Sequence, residues 1–165
     1  MAELVALYGD DGHPTGEVVD RARMRAENLR HAATAVVVRN SDGLVYVHRR
    51  TDTKDVYPGR YDFAAGGVLQ AGEEPYDSAV REVAEELGVT GVELRPLFEA
   101  DYADDHTRYH GFCYECSWDG PISWQPEEVA WGEWVTPQRL LELLDERSFM
   151  PDTVSCLRPW LDAWR

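Results

Sequence analysis

The 165-residue sequence predicts an α+β fold, a mixed β-sheet flanked by helices, and three observations predict it. Short runs rich in Val and Tyr, such as AATAVVV at 32–38 and LVYVH at 44–48, read as strands. A few longer stretches carry helical periodicity, bounded by Pro at the start or Gly at the stop. The two kinds do not alternate regularly, which argues against a repeated βαβ chain. With 44 % hydrophobic residues there is enough apolar material for one core. The expectation is a single domain over 1–165: a strand and arm region at 1–30, a core at 31–146 and a closing helix at 147–165.

Glu3 to Gly16 reads as a short strand (Leu4, Val5, Leu7, Tyr8), a turn at Gly9-Asp10-Asp11-Gly12 and a second extended piece. Residues 18–30 are polar and rich in Arg and Glu, as in a short helix or covering arm. Ala32 to Val38 is a buried strand, and Ser41-Asp42-Gly43 turns it into Leu44 to His48, a hairpin. Thr51 to Tyr61 is a loop broken by Pro58-Gly59, with Arg49, Arg50, Lys54 and Arg60 at or near its ends. Asp62 to Val68 is extended and contains Gly66-Gly67; Pro75 to Leu87 is helical, with Gly88 as its stop. Val89–Ala100, Tyr109–Trp118 and Ala130–Val135 are strands. Thr136-Pro137 opens a helix through Leu144, and Pro151 to Trp164 forms a last one, kinked or divided near Pro159.

Charge narrows the function classes. Asp and Glu number 31 against 16 Lys and Arg, a formal charge of −15, and no basic run appears. Such a field repels a nucleic-acid polymer. An acidic protein that handles phosphates must bring cations to them, as placed Lys or Arg or as a metal. The N-terminus lacks a signal-peptide pattern and no run approaches a membrane span, so a cytoplasmic protein is expected. Cys113 and Cys116 have CxxC spacing without a second pair; on a strand they would point to opposite faces, as inert thiols rather than a zinc or redox pair.

The most informative segment is GVLQAGEEPYDSAVREVAEELGV, Gly67 to Val89. On a helical wheel Tyr76, Ala79, Val80, Val83, Ala84 and Leu87 span about 140°, a core-facing stripe. Glu82, Glu85 and Glu86 fall within about 100° on another side, with Arg81 one turn from Glu85. A solvated acidic face is the ordinary explanation of such a cluster. Three adjacent carboxylates nevertheless repel one another, and they lie where the helix dipole disfavours negative charge. A hard divalent cation such as Mg2+ would relieve both costs.

Residues 67–89 also match a known pattern, G-x5-E-x7-R-E-U-x-E-E-x-G-U with U a bulky aliphatic, through Gly67, Glu73, Arg81, Glu82, Val83, Glu85, Glu86, Gly88 and Val89. Seven positions demand one residue type each, and at roughly 7 % usage chance agreement is on the order of one in 10⁸. The segment resembles the Nudix box, and EVAWGEWVTPQRLLELL resembles the strand and helix that close many Nudix domains, so the likeness covers most of 31–146. The resemblance implies an α/β/α sandwich and a Mg2+-dependent hydrolase of a diphosphate bond in a nucleoside-diphosphate-linked or similar small molecule, Mn2+ being able to substitute. It implies that Glu82, Glu85, Glu86 and the main-chain oxygen of Gly66 bind metal. Gly67 would let the backbone approach the diphosphate, Glu73 would brace the loop and Arg81 would orient a glutamate. Glu82 or Glu85 could activate water, or the base could come from outside the box, with Glu127, Glu128 and Glu133 as candidates.

The flank HRRTDTKDVYPGRYDFAAGGV resembles the branch that contains isopentenyl-diphosphate isomerase and related hydrolases. That likeness implies that Arg50 and Lys54 grip the substrate diphosphate, and matches His31 to a metal-binding histidine. Isomerisation, however, requires a cysteine where this chain has Gly66, a following metal histidine is Val68 here, and all three box carboxylates are kept. Hydrolysis is therefore expected over isomerisation, and an intact box argues against a non-catalytic nucleotide sensor. Tyr57, Tyr61, Phe63, Tyr102, Tyr109 and Trp124 are candidates to stack on a base. His106 and His110, near Asp104 and Asp105, are expected to be solvated rather than to hold a second metal. The first thirty residues are candidates for a homodimer edge.

Overall fold

The computed structural model describes residues 3–165. It opens with β1 (Leu4–Tyr8), β2 (Pro14–Asp20) and α1 (Arg21–Ala26), followed by β3 (His31–Arg39), β4 (Val45–Arg50) and the short β5 (Tyr61–Asp62). Then come α2 (Pro75–Leu87), β6 (Arg95–Ala103), β7 (Arg108–Ser117) and β8 (Val129–Val135). The helices α3 (Pro137–Glu146), α4 (Pro151–Cys156) and α5 (Arg158–Asp162) close the chain.

Side chains alternate along a strand, and here both faces of the sheet are apolar, so both must be covered. Val37, Val45, Val47 and Cys113 pack on one face against Leu140, Leu157 and Trp160 of the C-terminal helices. Val36, Val38, Tyr46 and Tyr114 pack on the other against Ala79, Val83 and Leu87 of α2. The result is helix on sheet on helix, as expected. Cys113 and Cys116 fall into these two separate clusters, and burial pushes their thiols up to about 12 and about 11, which keeps them inert.

The mixed six-stranded sheet runs β5-β4-β3-β7-β6, with β8 paired to β4. β3 lies parallel to β7 over its whole length, from His31↔Tyr109 to Arg39↔Ser117. The predicted β3–β4 hairpin is joined only at Arg39↔Val45; beyond that pair the strands part, β5 pairs with β4 at His48 and Arg49, and β8 runs along the other edge of β4 from Val45 to Arg50. The gap between β3 and β4 is filled by residues 63–70, which follow β3 without forming a continuous strand. Val36 and Ala65 exchange backbone hydrogen bonds, and Thr34 N–H donates to the Gly67 carbonyl. This wedge places Gly66 and Gly67 at the fork, over α2.

α2 has the predicted bounds. Pro75 occupies its first turn, and Gly88 caps it at φ 73 with its N–H on the Ala84 carbonyl. The buried stripe is narrower than the wheel suggests, because Tyr76 and Val80 are exposed while Ala79, Val83 and Leu87 are fully buried. β6 begins at Arg95, not Val89; Val89 and Leu94 are still buried, so the apolar signal reported burial without pairing. The last helix divides at Leu157, with Pro159 in the first turn of α5. β2 extends to Asp20, whose side chain accepts from Arg23 N–H and starts α1. Val5 and Leu7 of the N-terminal hairpin pack with Met24 and Val68, fastening α1 beside the fork.

Candidate active site

A cleft of about 510 Å3 opens where α2 meets the fork, lined by Gly66, Gly67, Arg81, Glu82, Glu85 and Glu86 among others. The apolar face of α2 fixes its roll, so the carboxylates one residue off that face turn toward the wedge. Arg81 holds them in order. Its guanidinium donates to both oxygens of Glu73, at 2.8 and 3.0 Å, and to Glu82 at 2.9 Å and Glu85 at 3.3 Å. Glu73 Oε1 also accepts from the Gln70 N–H at 3.0 Å, tying the loop before α2 to the helix. Burial alone would raise the Glu73 carboxyl, but the Arg81 and Gln70 contacts outweigh it and hold it below its ordinary value.

Glu82 is in the opposite condition. Burial first, then the nearby charges of Glu86 and Glu85, push it up to about 7 in spite of Arg81. Glu86 Oε2 accepts from the Gly66 N–H at 3.3 Å. Its Oε1 lies 3.1 Å from Nε2 of the buried His48, without hydrogen-bond alignment. The Glu82 carboxylate crowds Gly67, and backbone crowds Gly66. A Cβ at Gly67 would stand 2.7 Å from the Glu82 carboxyl carbon, and one at Gly66 would stand 1.9 Å from the Thr34 carbonyl oxygen. Among the described residues no three ligand-type side chains already converge around a point. The donors nonetheless suit a hard divalent cation, which takes one or two carboxylates and fills its remaining positions with water and substrate oxygen.

Past Gly66 and Gly67 the cleft continues into a smaller chamber of about 100 Å3. Arg21, Arg50 and Lys54 line both spaces, and Arg25 lines the chamber. Arg21 and Arg25 share Asp55, at 3.7 and 3.3 Å, and Lys54 pairs with Glu128. Arg50 donates to the Val56 carbonyl at 2.9 Å, and no carboxylate among the described residues lies within 4.0 Å of it. The chamber floor is polar, with His31, Thr34, Asp62, Tyr109 and Asp152. Burial, opposed chiefly by His48, pushes Asp62 up to about 7, and burial lowers His31 to about 4, so that imidazole is neutral at ordinary pH.

The remaining candidates divide clearly. Glu127 and Glu128 line the cleft, whereas Glu133 pairs with Val47 along β8 and does not. Arg49 turns to Asp52, and Arg60 to the Phe149 carbonyl. Of the aromatic candidates only Tyr109 borders either space. His110, expected to be solvated, is buried on β7 with Glu99 at 2.6 Å and Asp101 at 2.8 Å; His106 is exposed near Tyr57. Arg21, Arg25, Asp62 and Asp152 were not singled out by the sequence. Only the four-residue spacing of Arg21 and Arg25 on a short helix hinted at a shared face.

Comparison with known proteins decides the family. A family model described as NUDIX domain matches residues 29–155. The chain belongs to the Nudix family. An uncharacterised Nudix hydrolase, orf19 of Rhodococcus erythropolis, is 41 % identical over 167 residues, covering 94 % of this chain and 90 % of that one. The uncharacterised Nudix hydrolase YfcD of Salmonella typhi is 42 % identical over 159 residues, covering 96 % and 85 %. Among solved structures, DR0079 from Deinococcus radiodurans superposes with a TM-score of 0.78 at 27 % identity, covering 95 % of this chain and 98 % of that one. A MutT protein from Methanosarcina mazei shares the fold, with a TM-score of 0.68 at 16 % identity. As a Nudix hydrolase the chain acts on phosphorus anhydrides of small molecules. No helix among the described residues is long and apolar enough to cross a membrane.

Proposed function

We propose that this protein is a Mg2+-dependent diphosphohydrolase that cleaves the diphosphate bond of a nucleoside-diphosphate-linked or similar small molecule. The observation that carries the reading is the contrast within one continuous space: crowded carboxylates on α2 at one side and Arg21, Arg50 and Lys54 at the other. Glu82, Glu85 and Glu86, with the Gly66 main-chain oxygen, would hold the metal, and Mn2+ would substitute. When bound, the metal supplies charge neutralisation at the diphosphate and a lowered pKa for water.

The protein's own residues do the rest. Arg50 and Lys54 take the diphosphate oxygens, leaving the α2 carboxylates free to face the reacting phosphorus. Gly67 lets the main chain approach the same oxygens. Arg81 positions Glu82 and Glu85 while Glu73 holds Arg81. A proton is taken from the attacking water by Glu82, by Glu85 or by Glu128 on the facing loop. The steric finding at residue 66 disfavours isomerase chemistry: a cysteine there would drive its Cβ into the Thr34 carbonyl.

Glu85→Ala separates hydrolase from sensor. The account expects turnover of a diphosphate substrate to vanish in phosphate-release assays while calorimetric affinity changes little. Tight binding by the wild type with no turnover of any diphosphate tested would establish a sensor instead.

A further inference from the structure

The chamber behind the metal-facing cleft holds features that the diphosphate reading leaves unused. Asp152 is 8 % exposed; its Oδ2 accepts from the Tyr109 hydroxyl at 2.7 Å, but its Oδ1 is buried without any hydrogen-bond partner. An acceptor left unsatisfied in this way is costly, and the cost disappears when a ligand brings a donor. Asp62, also buried, lines the same small space, but its Oδ1 already accepts from the Phe63 and Ala64 N–H groups, which leaves Asp152 as the unsatisfied acceptor. At the entrance Arg50 Nε is buried and unpartnered, and Arg25 Nε lies 3.3 Å from Asp55 without hydrogen-bond alignment. Burial pushes the Arg25 guanidinium below its usual value; Asp55, which is half-exposed, pulls it back, and the neighbouring Arg21 lowers it again. The entrance is thus cationic and incompletely compensated, while the floor is an acceptor.

Small and aliphatic side chains such as Ala33, Ala65, Val56 and Met150 line the rest of the chamber, so its polar groups decide what it accepts. Its one phenol ring, Tyr109, is packed against His31 at 5.7 Å and Tyr102 at 6.0 Å. A hydrocarbon tail would bury Asp152 Oδ1 permanently without a partner.

We infer that the moiety entering the chamber is a compact group bearing O–H or N–H donors, carried on a diphosphate held by Arg21, Arg25, Arg50 and Lys54, and that Asp152 selects it. The inference rests on the diphosphohydrolase reading and refines its substrate class. Asp152 thereby becomes a specificity residue, and α1 supplies two of the four cations that place the diphosphate between chamber and cleft.

The test compares short ω-hydroxyalkyl diphosphates with the alkyl diphosphates that carry a methyl in place of the hydroxyl. Binding is measured by calorimetry in EDTA and hydrolysis by phosphate release with Mg2+. The expected result is a preference of at least about tenfold for the hydroxyl-ended ligand in wild type, as when a buried polar group is left unpaired by the wrong ligand. Asp152→Ala combined with Tyr109→Phe removes the acceptor and the hydroxyl that depends on it, and should abolish the preference while the thermal transition remains cooperative. Should that double variant not fold, Asp152→Asn is expected to reduce the preference. Equal affinities for both ligands in wild type, or a preference that neither variant lowers, overturns the inference. Hydrolysis without discrimination would leave the diphosphohydrolase reading standing and remove only this one. Discrimination in binding without hydrolysis would do the reverse.

Discussion

The α2 cleft and the chamber behind it share a wall at Gly66 and Gly67 yet are built on opposite plans. The carboxylate side of the cleft comes from one helix and the loop before it: Glu73, Arg81, Glu82, Glu85 and Glu86 lie within fourteen residues, with Glu73, Glu82 and Glu85 joined by the Arg81 guanidinium and Glu86 bonded to the Gly66 N–H. The chamber draws Arg25 from α1, Thr34 from β3, Arg50 from β4, Tyr109 from β7 and Asp152 from α4. Its cations sit at the mouth and its acceptor at the base. Chemistry that must sit close to a fixed phosphorus can be built on one rigid element, whereas recognition of a whole ligand needs several walls. The two regions should therefore fail differently when altered, the cleft in turnover and the chamber in affinity and choice of ligand.

The largest effect is expected at the cleft. Glu86→Gln should lower kcat by on the order of 10³-fold with little change in KM, as measured by steady-state phosphate release. An equal rise in KM would erase the division between the regions. Next comes Gly67→Ala, whose new methyl would stand 2.7 Å from the Glu82 carboxyl carbon and Oε1. Glu82 can swing away, so the melting temperature should hardly move while kcat falls about 10²-fold from misplacement of the carboxylate. A melting temperature that fell steeply with kcat intact would show that the contact matters for folding instead. Arg25→Gln should raise KM about tenfold and leave kcat nearly unchanged, the signature of a group that binds ground and transition states alike.

The smallest effect lies outside both regions and serves as their control. His110 bonds Glu99 and Asp101, Asp101 also bonds Arg30, and Phe112 packs edge-on to the imidazole at 5.0 Å. Burial lowers the imidazolium pKa, but the two carboxylates outweigh it, so the folded value lies above the ordinary 6.5. A raised folded value stabilises the protein fully below pH 6.5, and the contribution is lost as pH climbs through the folded value. The partners are half-exposed, so the contribution is about 1 kcal/mol, or roughly 2–4 °C in Tm. Melting curves of His110→Asn against wild type should differ by that much at pH 6 and converge at higher pH, with kcat/KM unaffected.

What could be read in advance follows the same division. Every residue of the Arg81 ion-pair system lies in the box, because helical spacing converts sequence distance directly into spatial distance. Arg50 and Lys54 were legible through resemblance to one branch, and both border the cleft. Asp152 and Arg25 were not legible: they lie 127 positions apart in number and meet through tertiary packing, with Met24 of α1 packed on Val68 and Tyr109 of β7 bonded to Asp152 of α4. Apolar runs reported burial faithfully and pairing less well. Leu44 to His48 is the strand β4 from Val45 on, but it meets the strand before it at a single pair, and its long partner is β8, some eighty residues on, along its other edge. His110 lies near loop aspartates in sequence, but its partners, Glu99 and Asp101, sit across the β6–β7 ladder.

The central claim is that the α2 carboxylates, with a divalent cation, cleave a diphosphate bond. Its most direct test is phosphate or nucleotide release from a panel of diphosphate compounds, with Mg2+ and with EDTA, on wild type and Glu86→Gln. The account predicts metal-dependent turnover of one compound class, lost on chelation and reduced at least about 10³-fold by the substitution. Turnover that persists in EDTA, or that Glu86→Gln leaves intact, would contradict it.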